Sequence, residues 1–547
     1  MAQTNLKTQH WKKNLVLIAK NTYVWMHQLS RKYGREITTL DQIPLDELSM
    51  LTDFGITGIW LIGIWERSRA SKKIKSLYGF EHAAASAYSI QSYQIAQSIG
   101  GRSSFLAFRE KAHSLGLKVG CDMVPNHTGL DSPWLIEHPE WYIKARENPS
   151  PDFNFTSPDL SPNPAVQIRI EDGYYDQTGA AEVFSYTNRD TGEERFIYHG
   201  NDGTSMPWND TAQLNYLIPE VRHAVRETIL EVAADFDIIR LDAAMTLTRQ
   251  HYKRLWFPSN DGKRCIPTRE TYKMSAAEFD QTMPQEFWMQ VIDDIKKQQP
   301  DTLLMAEAFW LMEGYFINHI GMDRVYNSAF MNLLKNEENE QFKRIFREMS
   351  AIQQDTLEHL VNYQTTPDED SAKHLFGTGE KYFGVCTLLA TLPGLPMFGH
   401  GQLQGFTEKY GMDYLMPTMQ ENPDKELLKQ HICRIKPLLK KRELFSSGLH
   451  FQLHNLQDQN GKTLDDVIIF SNKFENTSSL VVFNNSPNKQ HGILNLSSQP
   501  NIYQLDNWQI ICQNPSDEIR FIINPDLGEI IFDLEPYASS VYQSTLL

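Results

Sequence analysis

The stretch "PEVRHAVRETILEVAADFDIIRLDAAM", residues 219–245, passes from an amphipathic helix into an apolar strand. Side chains alternate along a strand, so Ile238, Arg240 and Asp242 share one face and two full charges project from it. The order of helix and strand indicates the fold. The charged pair needs a reason, because a core strand gains nothing from uncompensated charge.

The same order, a helix and then a buried strand, recurs in three other segments. In residues 38–65, Pro44 favours a helix start, an apolar stripe follows, and Gly55 ends the helix before an apolar strand. Residues 101–128 and 284–310 repeat the pattern. Strands that are apolar on both faces and separated by amphipathic helices indicate a parallel sheet covered by helices.

The sheet is predicted to close on itself. An open doubly wound sheet usually carries a glycine-rich phosphate loop, and the sequence has no G-x-G-x-x-G or G-x-x-x-x-G-K motif. The predicted fold class is therefore α/β, a (β/α)8 TIM barrel, in which chemistry lies at the carboxyl ends of the strands. Polar residues follow the predicted strands at those ends: Asp122, Asn126, His127, Arg240, Asp242 and Glu307.

Two regions lack the helix-strand order and predict further units. Residues 128–206 are rich in Pro, Asn, Asp and Tyr and are predicted to form an inserted subdomain. Residues 441–547 contain short alternating strands with Asn, Ser and Pro turns, which predict a C-terminal all-β sandwich. Residues 1–127 and 207–440 are then assigned to the barrel.

The composition indicates a globular chain with a neutral ligand. Its 547 residues carry a formal net charge of −16, which argues against a nucleic-acid or anionic-membrane partner, because clustered Lys and Arg bind phosphates. Aromatic residues make up 11% of the chain, which suits flat ligands such as sugar rings, although large cores also use them. A carbohydrate partner is predicted, and the oligomeric state is left open.

The cysteines and the N-terminal segment predict a cytoplasmic location. The five cysteines are far apart and show no C-x-x-C spacing, which favours reduced packing residues. The apolar run from Leu15 to Ala19 is too short for a signal-peptide core or a membrane span. The sequence also has no His/Cys cluster with metal-ligand spacing.

Three carboxylates are the candidates for catalysis: Asp242, Glu307 and Asp368. A buried and unpaired Glu307 would have a raised pKa, as a general acid needs, whereas Arg240 would keep Asp242 ionised. A retaining glycosidase uses such a pair with the carboxyl groups about 5 Å apart. Taken singly, the Arg-Asp pair also fits a structural ion pair, and Glu307 a satisfied core residue. Their joint occurrence at the ends of successive strands favours chemistry.

Four motifs resemble the signature regions of the α-amylase family, glycoside hydrolase family 13. "DMVPNH" (122–127) is similar to D-x-x-x-N-H and "RLDAA" (240–244) to R-x-D. "AEAFW" (306–310) is similar to the region with the acid Glu, and "TPDED" (366–370) to a variant of N-H-D. The likeness runs from about residue 22 to 410, and a segment similar to the family's C domain follows. Three further stretches support it in order: "SAYSIQSY" (86–93), "AQLNYLIPEVR" (212–222) and "LPGLPMFGHGQ" (392–402).

The resemblance implies a retaining mechanism with three catalytic residues. Asp242 would be the nucleophile that forms a β-glycosyl-enzyme, and Glu307 would protonate the leaving oxygen and then activate the acceptor. Asp368 would hydrogen-bond the sugar 2- and 3-hydroxyls. The implied substrate-binding residues are Arg240, which would orient Asp242, His127 and Tyr88, which would contact the ring, and Asp122 and Asn126.

Calcium is implied less directly. Many members of the family have a calcium ligand at the position of Asn126, but the sequence identifies no partner carboxylates. The prediction is therefore that the chain needs no cofactor and has no metal ligands, with calcium near Asn126 kept as the alternative.

Several positions depart from the family pattern and leave the acceptor open. Thr366 and Pro367 replace the usual Asn and His, in a T-T-P-D segment similar to maltosyltransferase-like branches. Asp370 is the alternative third acid. Met245 and Thr246 stand where amylases often have the Lys-His pair that binds the leaving side.

The predicted function is hydrolysis of α-glucosidic bonds in oligo- or polysaccharides by a retaining α-glycosidase. Transglycosylation of the maltosyltransferase type, or phosphorolysis on the same scaffold, is the alternative, because the departures lie where the acceptor would be selected. A non-catalytic binding protein is the third hypothesis. The unbroken triad of acids argues against it.

Overall fold

Eight parallel strands close into a barrel and follow one another around it in chain order. The first and last strands pair with each other, Leu17 beside Met397, so the barrel sheet leaves no strand edge. The predicted (β/α)8 barrel is confirmed. The strands are β1 (Leu17–Asn21), β2 (Gly58–Ile62), β3 (Lys118–Met123), β4 (Ile238–Leu241), β5 (Leu303–Ala306), β6 (Arg324–Tyr326), β7 (Leu360–Tyr363) and β8 (Leu395–Phe398).

This computed structural model describes residues 10–79, 83–204, 206–259, 265–309, 312–352, 355–495, 508–513, 520–524 and 528–545. Trp310 of the "AEAFW" motif and parts of the predicted C-terminal sandwich lie outside these ranges. The five cysteines are all free. Among the described residues, no helix combines the length and the apolar character that crossing a membrane requires.

Helices precede the strands as the sequence pattern predicts. Gly55 and Gly116 follow two of them with φ of 104° and 78°, a conformation that favours glycine and turns the chain into the next strand. The main helices are Thr22–Tyr33, Leu45–Phe54, Arg69–Leu77, Gly101–Ser114, Pro219–Asp235, Arg249–Trp256, Ala276–Thr282, Phe287–Gln298, Ser328–Lys335, Asn339–Ile352, Ala372–Phe376, Glu380–Thr391 and Lys425–Gln430.

Ile238 fills the barrel interior against Gly120 of the neighbouring strand β3 and Gly58 of β2, one strand further. A Cβ on Gly120 would lie 3.0 Å from the Ile238 Cβ, and a Cβ on Gly58 would lie 3.3 Å from the Ile238 Cδ1. β2 and β3 therefore lack side chains where β4 carries a branched one. Arg240 is the next residue on the same face of β4, so this packed layer lies directly under the charged one.

The segment between β3 and the helix Pro219–Asp235 forms two small antiparallel sheets. Residues His127–Gly129 pair with Thr211–Gln213, which ties the two ends of the segment together beside the barrel. The bounds 128–206 stay a prediction. The four-stranded sheet has the order Lys144–Ala145, Glu194–Tyr198, Val183–Asn188 and Val166–Ile170.

Two antiparallel sheets pack face to face at the C-terminal end of the described chain. Val467 and Ile469 of one sheet share a buried core with Ile530 and Phe532 of the other, which is the arrangement of a β-sandwich. The bounds 441–547 stay a prediction. One sheet has the order Gln452–His454, Val467–Phe474, Thr477–Asn484, Ser539–Thr545 and Gln509–Gln513, and the other Gln490–Asn495, Glu529–Leu534 and Arg520–Asn524.

Candidate active site

Arg240 is the centre of a buried cluster at the carboxyl end of the barrel. Its Nη1 lies 2.6 Å from Asp242 Oδ1 and 3.1 Å from Asp122 Oδ1, and its Nη2 lies 2.6 Å from Glu307 Oε1. One guanidinium therefore contacts three carboxylates. Its side chain is 1% exposed, so solvent does not screen these contacts.

Strand register explains why these groups meet. Arg240 of β4 lies beside Asp122 of β3 and beside Met305 of β5. Asp242 follows the last residue of β4, and its N–H donates to the Met123 carbonyl at 2.8 Å. Glu307 follows β5 in the same way, since its N–H donates to the Leu241 carbonyl at 3.0 Å. The ladder of the barrel thus continues just far enough to fix both acids.

The predicted pairing of Glu307 differs from the observed one. We expected Arg240 to hold Asp242 and leave Glu307 unpaired, but the guanidinium contacts both. The second oxygen of Glu307, Oε2, accepts a hydrogen bond from the Ala243 N–H at 2.8 Å. Ala243 has φ of 42°, a left-handed conformation that is uncommon for a residue with a Cβ and that turns the chain after Asp242.

Burial nevertheless raises the pKa of every carboxyl in the cluster. The pKa of Glu307 is raised to about 7 by burial, which Arg240 opposes and the nearby Asp242 charge reinforces. Burial raises the pKa of Asp122 to about 7, against Arg240 and a hydrogen bond from Trp60. The pKa of Asp242 is raised by burial and lowered by Arg240. A single cation cannot keep three buried carboxyls fully ionised, so the cluster holds a proton near neutral pH.

Three aromatic rings enclose the guanidinium. The guanidinium carbon of Arg240, Cζ, lies 5.3 Å from the centroid of the Trp60 ring, 5.2 Å from that of Tyr88 and 5.8 Å from that of Tyr326. Trp60 also donates its indole N–H to Asp122 Oδ2 at 3.0 Å. Burial disfavours the charged form of Arg240, but Glu307, Tyr88, Tyr326 and Asp242 together outweigh it, so the pKa of Arg240 lies well above the usual value.

Tyr88 and His127 lie beside this cluster. The Tyr88 hydroxyl is enclosed and has no hydrogen-bond partner within the part of the chain that the structure describes, so it can bind a ligand. The His127 ring lies 5.0 Å from the Trp208 ring, and burial lowers its pKa to about 4. His127 is therefore neutral at pH 7 and can accept or donate a hydrogen bond without bringing a charge.

Asp368 lies at the rim, in the loop after β7. The residue is exposed, its N–H donates to the Thr366 hydroxyl at 3.2 Å, and its carbonyl accepts from Lys409 Nζ at 2.6 Å. Enclosure of its carboxyl by surrounding protein raises its pKa, although the residue as a whole is exposed, and Arg240 and Asp242 also act on it. Asp370, the alternative third acid, is exposed and lies 3.9 Å from His374. The charges of Arg240 and Asp242 act on the Asp368 carboxyl, which favours Asp368 over Asp370 as the third acid.

The Asn126 side chain is paired with Gln213. Its Nδ2 donates to Gln213 Oε1 and its Oδ1 accepts from Gln213 Nε2, both at 3.0 Å. The side chain is fully buried, so this reciprocal amide pair takes up its donor and its acceptor. Within the described ranges, no group of three or more His, Cys, Asp or Glu side chains is arranged to hold a metal ion.

The two positions that left the acceptor open are buried. Met245 is 3% exposed and Thr246 is 1% exposed, and the Thr246 hydroxyl donates to the Ala243 carbonyl at 2.7 Å. They support the turn after Asp242. The Thr246 hydroxyl is therefore already engaged within this turn.

Sequence reasoning missed Trp60 and Tyr326. Both stand on barrel strands, in "GIWLI" and "RVY", where strand alternation can direct an aromatic ring into the barrel. An aromatic residue near the carboxyl end of a barrel strand was the available signal. The sequence could not show that both rings meet the same arginine.

Comparison with known proteins agrees with this geometry. Residues 28–432, more than half of the chain, match the family described as "Alpha amylase, catalytic domain". Maltase A1 of Drosophila melanogaster is 22% identical over 398 residues, which cover 66% of this chain and 61% of the maltase. Alpha-amylase 3 of Dictyoglomus thermophilum is 19% identical over 423 residues, which cover 74% of this chain and 67% of that enzyme. The chain thus spans less than two thirds of the length of the maltase.

Solved structures show the same fold at low identity. A maltogenic alpha-amylase from Thermotoga neapolitana superposes with a TM-score of 0.62 at 14% identity, covering 98% of this chain and 99% of that chain. A debranching enzyme from Nostoc punctiforme also superposes with a TM-score of 0.62 at 14% identity, covering 98% of this chain and 99% of that chain. Because the family match covers more than half of its length, the chain belongs to the α-amylase family.

Proposed function

We propose that the chain hydrolyses α-glucosidic bonds of oligo- or polysaccharides with retention of configuration, through a covalent β-glycosyl-enzyme. The observation that carries the proposal is the bridge from Asp242 through Arg240 to Glu307, with both contacts at 2.6 Å. Carboxyl groups that share one guanidinium lie close together, which supports the separation of about 5 Å found in retaining enzymes. Inverting enzymes hold theirs about 6.5–9.5 Å apart to admit a water molecule.

The first half of the reaction breaks the glucosidic bond. Asp242, ionised against Arg240, attacks the anomeric carbon, and the bond to the leaving oxygen breaks as Glu307 donates its proton to that oxygen. Burial supports this role for Glu307, because its pKa of about 7 keeps much of it protonated at neutral pH.

The second half releases the sugar. Glu307, now ionised, takes a proton from a water molecule, whose oxygen attacks the anomeric carbon as the bond to Asp242 breaks. Asp368, Tyr88 and His127 would bind the ring, Asp368 through the 2- and 3-hydroxyls. The names of the relatives, a maltase, alpha-amylases and a debranching enzyme, agree with this substrate class.

Transfer to a second sugar is the alternative reaction. Asp242 is 8% exposed and Glu307 is 5% exposed, which restricts the access of bulk water to the intermediate. An acceptor sugar that is bound in place of water would then compete with hydrolysis. The chemistry at Asp242 and Glu307 is the same in both cases.

A product screen tests the proposal. Maltooligosaccharides, sucrose and trehalose are incubated with the protein, each with and without phosphate or a sugar acceptor, and the first product is followed by NMR. Hydrolysis predicts free sugar released as the α-anomer. Release of the β-anomer would exclude the double displacement, and products that need an acceptor or phosphate would replace hydrolysis by transfer or phosphorolysis.

The proposed reaction uses no metal. Extensive dialysis against a chelator is therefore expected to leave kcat unchanged, with re-addition of Ca²⁺ as the control. A loss of activity that Ca²⁺ restores would contradict the cofactor-free mechanism.

A further inference from the structure

A short segment after β8 closes one half of the barrel mouth. We call residues 408–414 the strap. It starts beside Asp368, where Lys409 Nζ donates to the Asp368 carbonyl at 2.6 Å. It then crosses the end of β1, where Asn21 Nδ2 donates to the Gly411 carbonyl at 3.3 Å.

The far end of the strap is bound to the loop after β2, directly before Tyr88. The Ala84 N–H donates to the Asp413 carbonyl at 2.6 Å, and the Ala87 N–H donates to the Met412 carbonyl at 3.2 Å. Arg67 Nη1 donates to the Ala85 carbonyl at 2.9 Å and to the Met412 carbonyl at 3.1 Å, so one guanidinium clamps both segments. Lys75 adds an ion pair with Asp413 at 3.0 Å.

The beginning of the strap is fixed as firmly. The Glu408 carboxylate accepts from the Thr418 N–H and hydroxyl, both at 2.6 Å, and from the Met419 N–H at 3.0 Å. The Tyr410 hydroxyl accepts from Gln28 Nε2 at 2.9 Å, and its ring lies 4.7 Å from the His400 ring. Displacement of a segment with this many contacts by a ligand costs free energy, because the contacts must be broken.

Little space remains between the strap and the strand ends below it. The cavity there has a volume of about 40 Å³, room for roughly three water molecules and too small for a sugar ring. Its walls include Asn21, Thr366, Pro367, His400, Tyr410 and Met412.

The position of the strap relative to the acids decides its effect. It spans the ends of β7, β8, β1 and β2, whereas Asp242 and Glu307 follow β4 and β5 on the other half of the mouth. A sugar ring bound by Asp368 and Tyr88 therefore has the strap on the side away from Glu307. Glu307 protonates the leaving oxygen, so the blocked side is the one on which further sugars toward the non-reducing end would have to lie.

We propose that the strap makes the glycone side of the site a dead end, so that the enzyme removes single α-glucosyl units from non-reducing ends and does not cleave inside a glucan. This inference rests on the proposed function and names its substrate class. The shape of the site, and not the catalytic residues, sets the limit.

Capped substrates test the inference on the native protein. Maltoheptaose is compared with maltoheptaose whose terminal 4- and 6-hydroxyls carry an ethylidene bridge. We expect the cap to lower kcat/KM by at least about 100-fold, the loss that a misplacement of about 1 Å causes. The first product of the uncapped substrate should be glucose with maltohexaose. Equal rates on both substrates, or a first product mixture of several lengths, would overturn the inference.

Variants that loosen the strap provide the second arm. Lys75→Ala with Asp413→Ala removes the ion pair, and Arg67→Ala removes the clamp on Met412. We expect each folded variant to cleave the capped substrate faster relative to the uncapped one. Lys72→Ala removes an exposed positive charge from the helix that carries Lys75, and it should leave the ratio unchanged. A folded Arg67→Ala variant with an unchanged ratio would show that the strap is not the barrier.

The proposed function and the dead end on the glycone side can fail separately. Cleavage of capped and uncapped substrates at equal rates would leave the proposed function standing and remove the dead end. Absence of cleavage or transfer on p-nitrophenyl α-glucoside and on every uncapped substrate would instead remove the proposed function and the inference with it.

Discussion

Two buried arginines on barrel strands have opposite surroundings. Arg240 of β4 is 1% exposed and faces the carboxylates of Asp242, Glu307 and Asp122. Arg324 of β6 is 7% exposed and donates to main-chain oxygens, the Asp323 carbonyl at 2.8 Å and the Lys12 carbonyl at 2.5 Å. Each has an aspartate within two residues in the sequence, "RLD" and "DR".

The acceptors distinguish a site from a structural anchor. Burial lowers the pKa of Arg324, because the nearby Asp323 and Glu358 carboxylates do not offset the loss of water, whereas the Glu307 carboxylate helps to raise the pKa of Arg240. The carboxylate of Asp323 accepts from the Leu304 N–H at 3.0 Å and lies 3.7 Å from Lys12, so it joins the N-terminal segment to the barrel. A buried arginine in a strand is therefore not by itself a catalytic signal.

The largest contrast should lie between the two aspartates. Asp242→Asn removes the nucleophile and is expected to lower kcat/KM on p-nitrophenyl α-glucoside by about 10⁴-fold or more, with little change in melting temperature. Asp323→Asn should leave kcat unchanged and lower the free energy of unfolding by about 1–3 kcal/mol, since its hydrogen bond to Leu304 weakens. Full activity in a folded Asp242→Asn protein would refute the assignment.

The next contrast concerns the third acid. Asp368→Asn is expected to lower kcat by about 10²–10³-fold, because a charge that acts on the transition state is lost. Asp370→Asn, two residues away and exposed, is the matched control and should behave like the parent. The reverse result would move the role to Asp370.

Exchange of each arginine for lysine tests the comparison directly. Arg240→Lys keeps the charge but cannot bridge three carboxylates in a fixed plane, and we expect kcat to fall about 100-fold, the cost of misplacing a reacting group by about 1 Å. Arg324→Lys should lower the melting temperature while kcat on the same substrate stays at the parental value. Equal effects of the two exchanges on kcat would contradict a catalytic-site role for Arg240 and a purely structural role for Arg324.

The smallest expected effect is the pH dependence. Glu307 must be protonated in the free enzyme, and burial raises its pKa to about 7, so kcat/KM should fall about tenfold per pH unit above that value. Asp242 must be ionised, and burial raises its pKa, so activity should also fall with decreasing pH earlier than for an exposed aspartate.

A control assigns the alkaline limb of this profile. The pKa of Asp122 is also raised to about 7, but its carboxylate accepts a hydrogen bond from Trp60 and is not one of the reacting groups. Asp122→Asn should keep the alkaline limb if Glu307 causes it. If the fall of kcat/KM at alkaline pH disappeared in this variant, the titrating group would be Asp122 and not Glu307.

The predictable part of the fold came from local pattern. Gly55 and Gly116 end helices where the sequence indicates, and Asp122, Asp242 and Glu307 lie at the carboxyl ends of barrel strands as expected. Local pattern could not place Trp60 or Tyr326 against Arg240, because that contact depends on strands far apart in the chain.

The sequence by itself determined which groups are present and at which strand ends they stand, because alternation along a strand and helix stops are properties of neighbouring residues. Only the tertiary structure decided how Arg240 is shared among three carboxylates, that Met245 and Thr246 are buried, and that the strap lies across the mouth. Those features depend on the register of the closed barrel and on loops that meet from distant segments, and neither is written in local periodicity.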